Sequence, residues 1–232
     1  MDEAAPEPQP QPQRLRIVTW NVNGLKRISL IKPLAQWLQE LQADILCVQE
    51  TKTTREMLDS SVATVEGYHM FFSFCRSQKG YSGVCTFVRK GIPVLAAQDG
   101  LTGTMPDCGD TIVVNPLTGE HAEFADLDRE GRAMITDHGS FLLLNIYAPC
   151  GSDDSRYEFK LKYHNLIEST CFLLQATHNK PVIVVGDLNV AHRLIDHCDP
   201  PEDFEEYEHR KWINRMLHEA GVRPDDRQAA LT

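Results

Sequence analysis

The sequence predicts an α/β protein with mixed sheets and helices on their outer faces. Two observations carry that prediction. Short apolar runs of strand length alternate with amphipathic stretches of helical period along the chain. Three of the apolar runs also end in a polar cluster: Asn21-Val22-Asn23-Gly24 after residues 15–20, Gln49-Glu50-Thr51-Lys52 after residues 45–48, and Asp187-Leu188-Asn189 after residues 182–186. A buried run that delivers carboxylates and amides to a strand end makes a place for chemistry. If the chain stays extended, Asp187 and Asn189 face the same way.

The elements follow in order. Residues 14–20 read as a strand, and residues 29–42 as one amphipathic helix with Leu30, Leu34, Trp37, Leu38 and Leu41 at helical spacing. Residues 44–49 form a buried strand. Residues 67–74 and 81–88 make a strand pair around Gln78-Lys79-Gly80, and residues 92–97 add another strand. Residues 98–131 are long for a connection inside a compact domain and read as a functional or mobile excursion, with residues 111–114 as its one strand. Residues 133–136 and 141–147 form a hairpin about His138-Gly139. Residues 155–177 form a helix with apolar positions at 159, 163, 166, 170 and 173, and the strand into Asp187 follows. A last helix over 208–220 buries Trp212, Met216 and Leu217 and stops at Gly221. One domain thus spans 14–221, between a Pro/Gln-rich disordered leader (1–13) and a polar tail (222–232).

Composition bounds the function. A chain of 232 residues with 42% hydrophobic side chains can bury one large core. Its seven cysteines are odd in number, form no C-x-x-C pair and several lie within apolar runs, which predicts reduced thiols in a reducing compartment. No apolar run approaches the roughly 20 residues of a membrane span. The net charge of −10 opposes a polyanionic partner. Its distribution removes most of that objection, because the leader and the acidic stretch 198–208 hold nine of the ten excess negative charges. Lys26, Arg27, Lys32, Lys52, Arg55, Arg76, Lys79, Arg156, Lys160 and Lys162 fall in or near predicted loops beside the motifs, a possible phosphate-facing rim.

Six ordered motifs now stand out: Thr19-Trp20-Asn21-Val22-Asn23-Gly24, Leu46-Cys47-Val48-Gln49-Glu50-Thr51-Lys52, Gly80-Tyr81-Ser82-Gly83-Val84, Asp128-Arg129-Glu130-Gly131-Arg132, Asn145-Ile146-Tyr147-Ala148-Pro149 and Gly186-Asp187-Leu188-Asn189-Val190-Ala191-His192. On these the chain resembles the exonuclease III type of AP endonuclease, within the endonuclease/exonuclease/phosphatase superfamily. Val65-Glu66-Gly67-Tyr68, Phe72-Ser73-Phe74, the long insert before Glu130 and Arg210-Lys211-Trp212 are similar to the branch of the second eukaryotic AP endonuclease.

The resemblance implies a four-layer α/β/β/α sandwich of two mixed sheets packed face to face. It implies a nuclear, Mg²⁺-dependent DNA repair nuclease, with Mn²⁺ as a possible substitute. That nuclease hydrolyses the phosphodiester 5′ to abasic sites in double-stranded DNA and trims blocked 3′ ends. Glu50 and Asn23, with Asp187 and Asn189, would serve the metal, and Asp187 would orient or deprotonate the attacking water. Asn189, Asn21 and Tyr147 would contact the phosphate, and Lys52, Arg76, Lys79, Tyr81 and Arg156 the DNA. Arg132 fits a structural pairing with an acid better than a DNA contact. His192, Asp196 and His197 invite a transition-metal reading, but the first two fall within the family pattern.

The chain also departs from that pattern. Asn23 stands where many relatives carry Asp, and Cys150 where many carry Asn. The family's closing Arg-Leu-Asp-Tyr and Ser-Asp-His-x-Pro motifs do not occur. By resemblance, strands of the second sheet are then missing and activity is reduced or lost, which leaves a non-catalytic DNA- or partner-binding form, or another phosphodiesterase of the superfamily, as alternatives.

Overall fold

A computed structural model describes residues 14–103, 124–151 and 153–219. Two four-stranded sheets form its centre. The first holds β1 (Ile17–Asn21), β2 (Ile45–Gln49), β4 (Val84–Arg89) and β3 (Tyr68–Ser73) in that order. The second holds β5 (Ala96–Asp99), β6 (Ala133–Asp137), β7 (Leu142–Tyr147) and β8 (Val182–Asp187). Each sheet joins one parallel pair, β1–β2 or β7–β8, to antiparallel neighbours, so both are mixed. Parallel neighbours need a crossover. Here α1 (Leu25–Ile31) and α2 (Leu34–Leu41) link β1 to β2, and α5 (Asp154–His178) links β7 to β8.

Strand side chains alternate between faces, and the alternation assigns each residue to a layer. Leu46 and Val48 turn outward onto Leu25, Ile28, Leu34 and Leu38 of the first helical layer. Leu142, Leu144 and Ile146 turn outward onto Tyr163, Ile167 and Leu174 of α5 and Trp212 of α6 (Glu208–Glu219). Between the sheets lie Ile45, Cys47, Val88 and Leu143, with Ile183 and Val185. The order is helix, sheet, sheet, helix, the sandwich that the resemblance implies.

One polar link crosses the centre. The Asn145 amide nitrogen donates to the carbonyls of Val48 (3.3 Å) and Cys85 (3.0 Å) and to Thr86 Oγ1 (3.2 Å), while its oxygen accepts from Gln49 Nε2 at 2.7 Å. With both ends of the amide satisfied, the link joins the sheets without leaving an orphaned polar group there.

Most boundaries move by a few residues from the sequence reading, and one element changes. The single helix expected over 29–42 is two helices, because Pro33 at the start of α2 cannot donate a backbone hydrogen bond and breaks the run. The Trp37 indole closes the corner by donating to the Ile28 carbonyl at 3.2 Å. The excursion 98–131 is packed at both of its described ends: Asp128, buried at the end of the short helix α4 (Ala125–Asp128), accepts from the backbone N–H groups of Leu101 (2.9 Å) and Thr102 (2.7 Å), and α3 (Ser60–Ala63) is a second short helix that the periodicity does not predict. The leader, the strand expected at 111–114 and the polar tail lie outside the described residues.

Candidate active site

Strand parity carries four chain segments to one end of the sandwich. Asn21, Gln49, Tyr147 and Asp187 close β1, β2, β7 and β8, and β1–β2 and β7–β8 each run parallel. Glu50, next after Gln49, would turn outward if the strand continued. Its φ of 55° instead bends the chain and brings the carboxylate into the site.

The side chains meet on one nitrogen. Asn21 Nδ2 donates to Glu50 Oε1 and to Asp187 Oδ2, each at 2.8 Å, so the two carboxylates lie within twice that distance of each other. The amide oxygen of Asn21 accepts from the Asn23 backbone N–H at 3.1 Å. The Tyr147 hydroxyl donates to Glu50 Oε1 at 2.9 Å, and the Lys52 ammonium sits 2.8 Å from Glu50 Oε2. Burial pushes the Glu50 carboxyl up, but hydrogen bonds from Lys52, Asn21 and Tyr147 outweigh it and leave the pKa below its ordinary value. Burial and the Glu50 carboxylate push the Tyr147 phenol well up, which keeps its proton on oxygen as a donor.

Backbone strain marks the same place. Seven described residues other than glycine have positive φ; Gln42 and Asn179 cap helices, and the other five are Asn23, Glu50, Lys52, Ser82 and Asn189. Left-handed backbone costs on the order of 1–2 kcal/mol per residue, so the surroundings must hold it. Backbone hydrogen bonds do so here: Gly24 to Glu50 (2.7 Å), Leu25 to Thr51 (2.9 Å), Thr51 to Gly83 (3.0 Å) and Lys52 to Ser82 (2.9 Å). Gly186 has a different task, since a Cβ there would lie 1.9 Å from the Ile146 carbonyl oxygen. Only glycine lets β8 approach β7 closely enough to deliver Asp187.

Several expected positions differ. Asn189 does not face the point that Asp187 faces, because its φ of 52° ends the extended chain. Its amide donates to the Ala148 carbonyl at 2.7 Å and its backbone N–H to Asp187 Oδ1 at 3.0 Å. Asn23 accepts from Lys52 Nζ at 2.5 Å. Arg76 pairs with Asp99 at 2.5 Å, Arg156 with Glu130 at 2.9 Å, and Tyr81 accepts from Arg132 at 2.8 Å. Arg55, Arg76 and Lys79 line one groove together with Glu56. Arg132 pairs with Glu130 at 2.6 Å and is 1% exposed, in keeping with the structural reading.

Lys160 leaves the rim altogether. It is buried and donates to the Asn189 carbonyl at 2.7 Å, and burial pulls its pKa down. The signal was in the sequence: positions 160, 164, 167, 171 and 174 form a helical stripe, and all are buried on α5.

Two carboxylates, the Asn21 amide and a phenol thus meet at one point, and the acids offer only oxygen as a metal donor. Lys52 already places a positive charge on Glu50. That donor set suits a hard divalent cation.

Known proteins resemble this chain in sequence and fold. The chain is 39% identical to DNA-(apurinic or apyrimidinic site) endonuclease 2 of Mus musculus over 234 residues, 89% of this chain and 45% of that protein. It is 28% identical to the exodeoxyribonuclease of Bacillus subtilis, over 80% of this chain and 63% of that protein. The chain therefore spans about half the length of the first of these relatives. The crystal structure of the Xenopus laevis APE2 catalytic domain superimposes with a TM-score of 0.75 at 36% identity, covering 86% of this chain and 67% of that one. Residues 18–227 match the model of the Endonuclease/Exonuclease/phosphatase family, and the chain belongs to that family.

Proposed function

We propose that this chain carries the phosphodiester-cleaving site of a nuclear, Mg²⁺-dependent DNA repair nuclease. Its substrate is double-stranded DNA, cut 5′ to abasic sites and trimmed at blocked 3′ ends. One observation supports this reading above the rest: the Asn21 amide holds Glu50 and Asp187 at 2.8 Å each, at a point where Tyr147 and Lys52 also meet Glu50. The names of the relatives at 39% and 28% identity point to the same chemistry.

Glu50, with Asn21 and Asn23 beside it, would hold the cation, for which Mn²⁺ could substitute. A bound cation supplies Lewis acidity and stabilises the leaving oxygen. The remaining work falls to the chain's own groups. Asp187 orients the attacking water and takes its proton, in a geometry kept by Asn21 and by the Asn189 backbone N–H. The Tyr147 phenol, a donor at neutral pH, gives its single O–H to Glu50 and so fixes that carboxylate. Lys52, Arg76, Lys79 and Arg156 would line the approach for the DNA backbone, whereas the Tyr81 hydroxyl is turned to Arg132.

The test is to incubate this chain with an abasic-site duplex and Mg²⁺ beside Asp187→Asn and Glu50→Gln. Each variant is expected to lose about 10²–10⁴-fold in kcat, the usual worth of a positioned acid–base group. Equal rates in the wild-type chain and Asp187→Asn would overturn the assignment. Turnover of a small phosphodiester without cleavage of DNA would point instead to another phosphodiesterase of the family.

A further inference from the structure

Behind Tyr147 lies a buried cation that the proposed mechanism does not use. Arg132 is 1% exposed, and each of its three nitrogens donates. Nε reaches Glu130 Oε2 at 2.6 Å, Nη1 the Tyr147 carbonyl at 3.0 Å, and Nη2 the Tyr81 hydroxyl at 2.8 Å. The guanidinium also lies 4.6 Å from the centre of the Tyr147 ring and 5.5 Å from that of Tyr81. Glu130 is shared with Arg156, at 2.9 and 3.0 Å. Burial raises the Glu130 pKa, but the two arginines outweigh it and hold the carboxyl below its ordinary value. The chain before Arg132 is locked as well, since a Cβ on Gly131 would lie 2.3 Å from the Phe74 carbonyl carbon.

Burying an ion pair is a poor route to stability, because desolvation offsets most of the attraction. What such a pair can supply is orientation. Arg132 grips Tyr147 at two points, its carbonyl and its ring face, and Tyr147 reaches Glu50 Oε1 at 2.9 Å. Tyr81 directs its oxygen inward to Arg132, with Arg156 at 3.4 Å.

We propose that Tyr81 and Arg132 are positioning residues for the Glu50 site, Tyr81 acting through Arg132 and Arg132 through Tyr147. The inference rests on the reading of Glu50 as a cation ligand. It gives Tyr81 an inward role in place of the DNA contact expected from sequence.

The experiment measures Mn²⁺ affinity of the free chain by electron paramagnetic resonance, together with kcat and KM on an abasic duplex. The variants are Arg132→Met, Tyr81→Phe, Tyr147→Phe and the Tyr81→Phe/Tyr147→Phe double. Arg132→Met and Tyr147→Phe should each weaken Mn²⁺ binding about tenfold or more, as loss of a group that orients a ligand does. Tyr81→Phe should weaken it less, leave KM for DNA unchanged, and add nothing once Tyr147 is Phe. A Tyr81→Phe variant with a raised KM and unchanged Mn²⁺ affinity would overturn the proposal. So would a Mn²⁺ effect that persists in the Tyr147→Phe background. If Arg132→Met does not fold, the Tyr81 and Tyr147 cycle decides alone. Absence of Mn²⁺ binding by the wild-type chain would instead sink the cation-ligand reading, and the positioning role with it.

Discussion

Asn21 directs both hydrogens of one amide nitrogen to carboxylates that would otherwise repel each other. Asn21→Ala removes that bracket and leaves two neighbouring negative charges to separate or take up a proton. A drop in kcat of about 100-fold, with little change in KM, is expected, as for the loss of a group that matters at the transition state. Asn21→Asp should be worse, because it adds a third carboxylate where a donor stood. Steady-state kinetics on the abasic duplex decides both. A change confined to KM would mean that Asn21 serves substrate binding instead.

At the level of elements, the two sheets and the α5–α6 pair each hold one polar group whose removal has a readable cost. Asn145→Ala would remove the hydrogen bonds to Gln49, Thr86 and the Val48 and Cys85 carbonyls between the sheets, although Gln49 Nε2 keeps Thr19 Oγ1 and the Cys47 carbonyl as acceptors. A typical intramolecular hydrogen bond contributes about 0.5–1.5 kcal/mol net, so urea unfolding should show a loss of about 2 kcal/mol. On α5, His164 stacks on Trp212 of α6 with ring centres 4.1 Å apart and is 1% exposed. Burial, then the nearby Lys160, push its pKa down to about 3. The folded protein keeps this imidazole neutral, whereas the unfolded chain protonates it below its ordinary 6.5. Between those values the unfolded state binds more protons, so stability falls as pH falls through the window, by up to about 1.4 kcal/mol per pH unit. His164→Phe keeps the stacking and should flatten that slope in urea melts at pH 7, 6 and 5.

For the whole molecule, charge decides how DNA would be met. A chain of net charge −10 approaches a polyanion only if its negative charge lies away from the contact face. Arg55, Arg76 and Lys79 share one groove, while the acidic stretch 198–208 follows β8 on a separate segment. DNA affinity should therefore fall steeply with salt. Lys79→Ala should reduce the log–log salt slope by about one, the signature of one lost phosphate contact. Binding titrations between low and moderate salt check this, and an unchanged slope would remove Lys79 from the interface.

The sequence by itself determined the strands, the two outer helical layers and the polar clusters at their ends. Apolar period and strand parity are local properties that each segment carries with it. It also held the family, because six motifs in order are a property of the string. Only the tertiary structure decided that Asn21 bridges the two carboxylates. It alone revealed that Glu50 enters the site through a left-handed residue, that Asn189 turns away toward Ala148, and that Lys160 and Tyr81 face inward. Those facts depend on contacts between residues up to 166 positions apart and on backbone torsions that neighbouring loops impose, and neither is written in any local pattern.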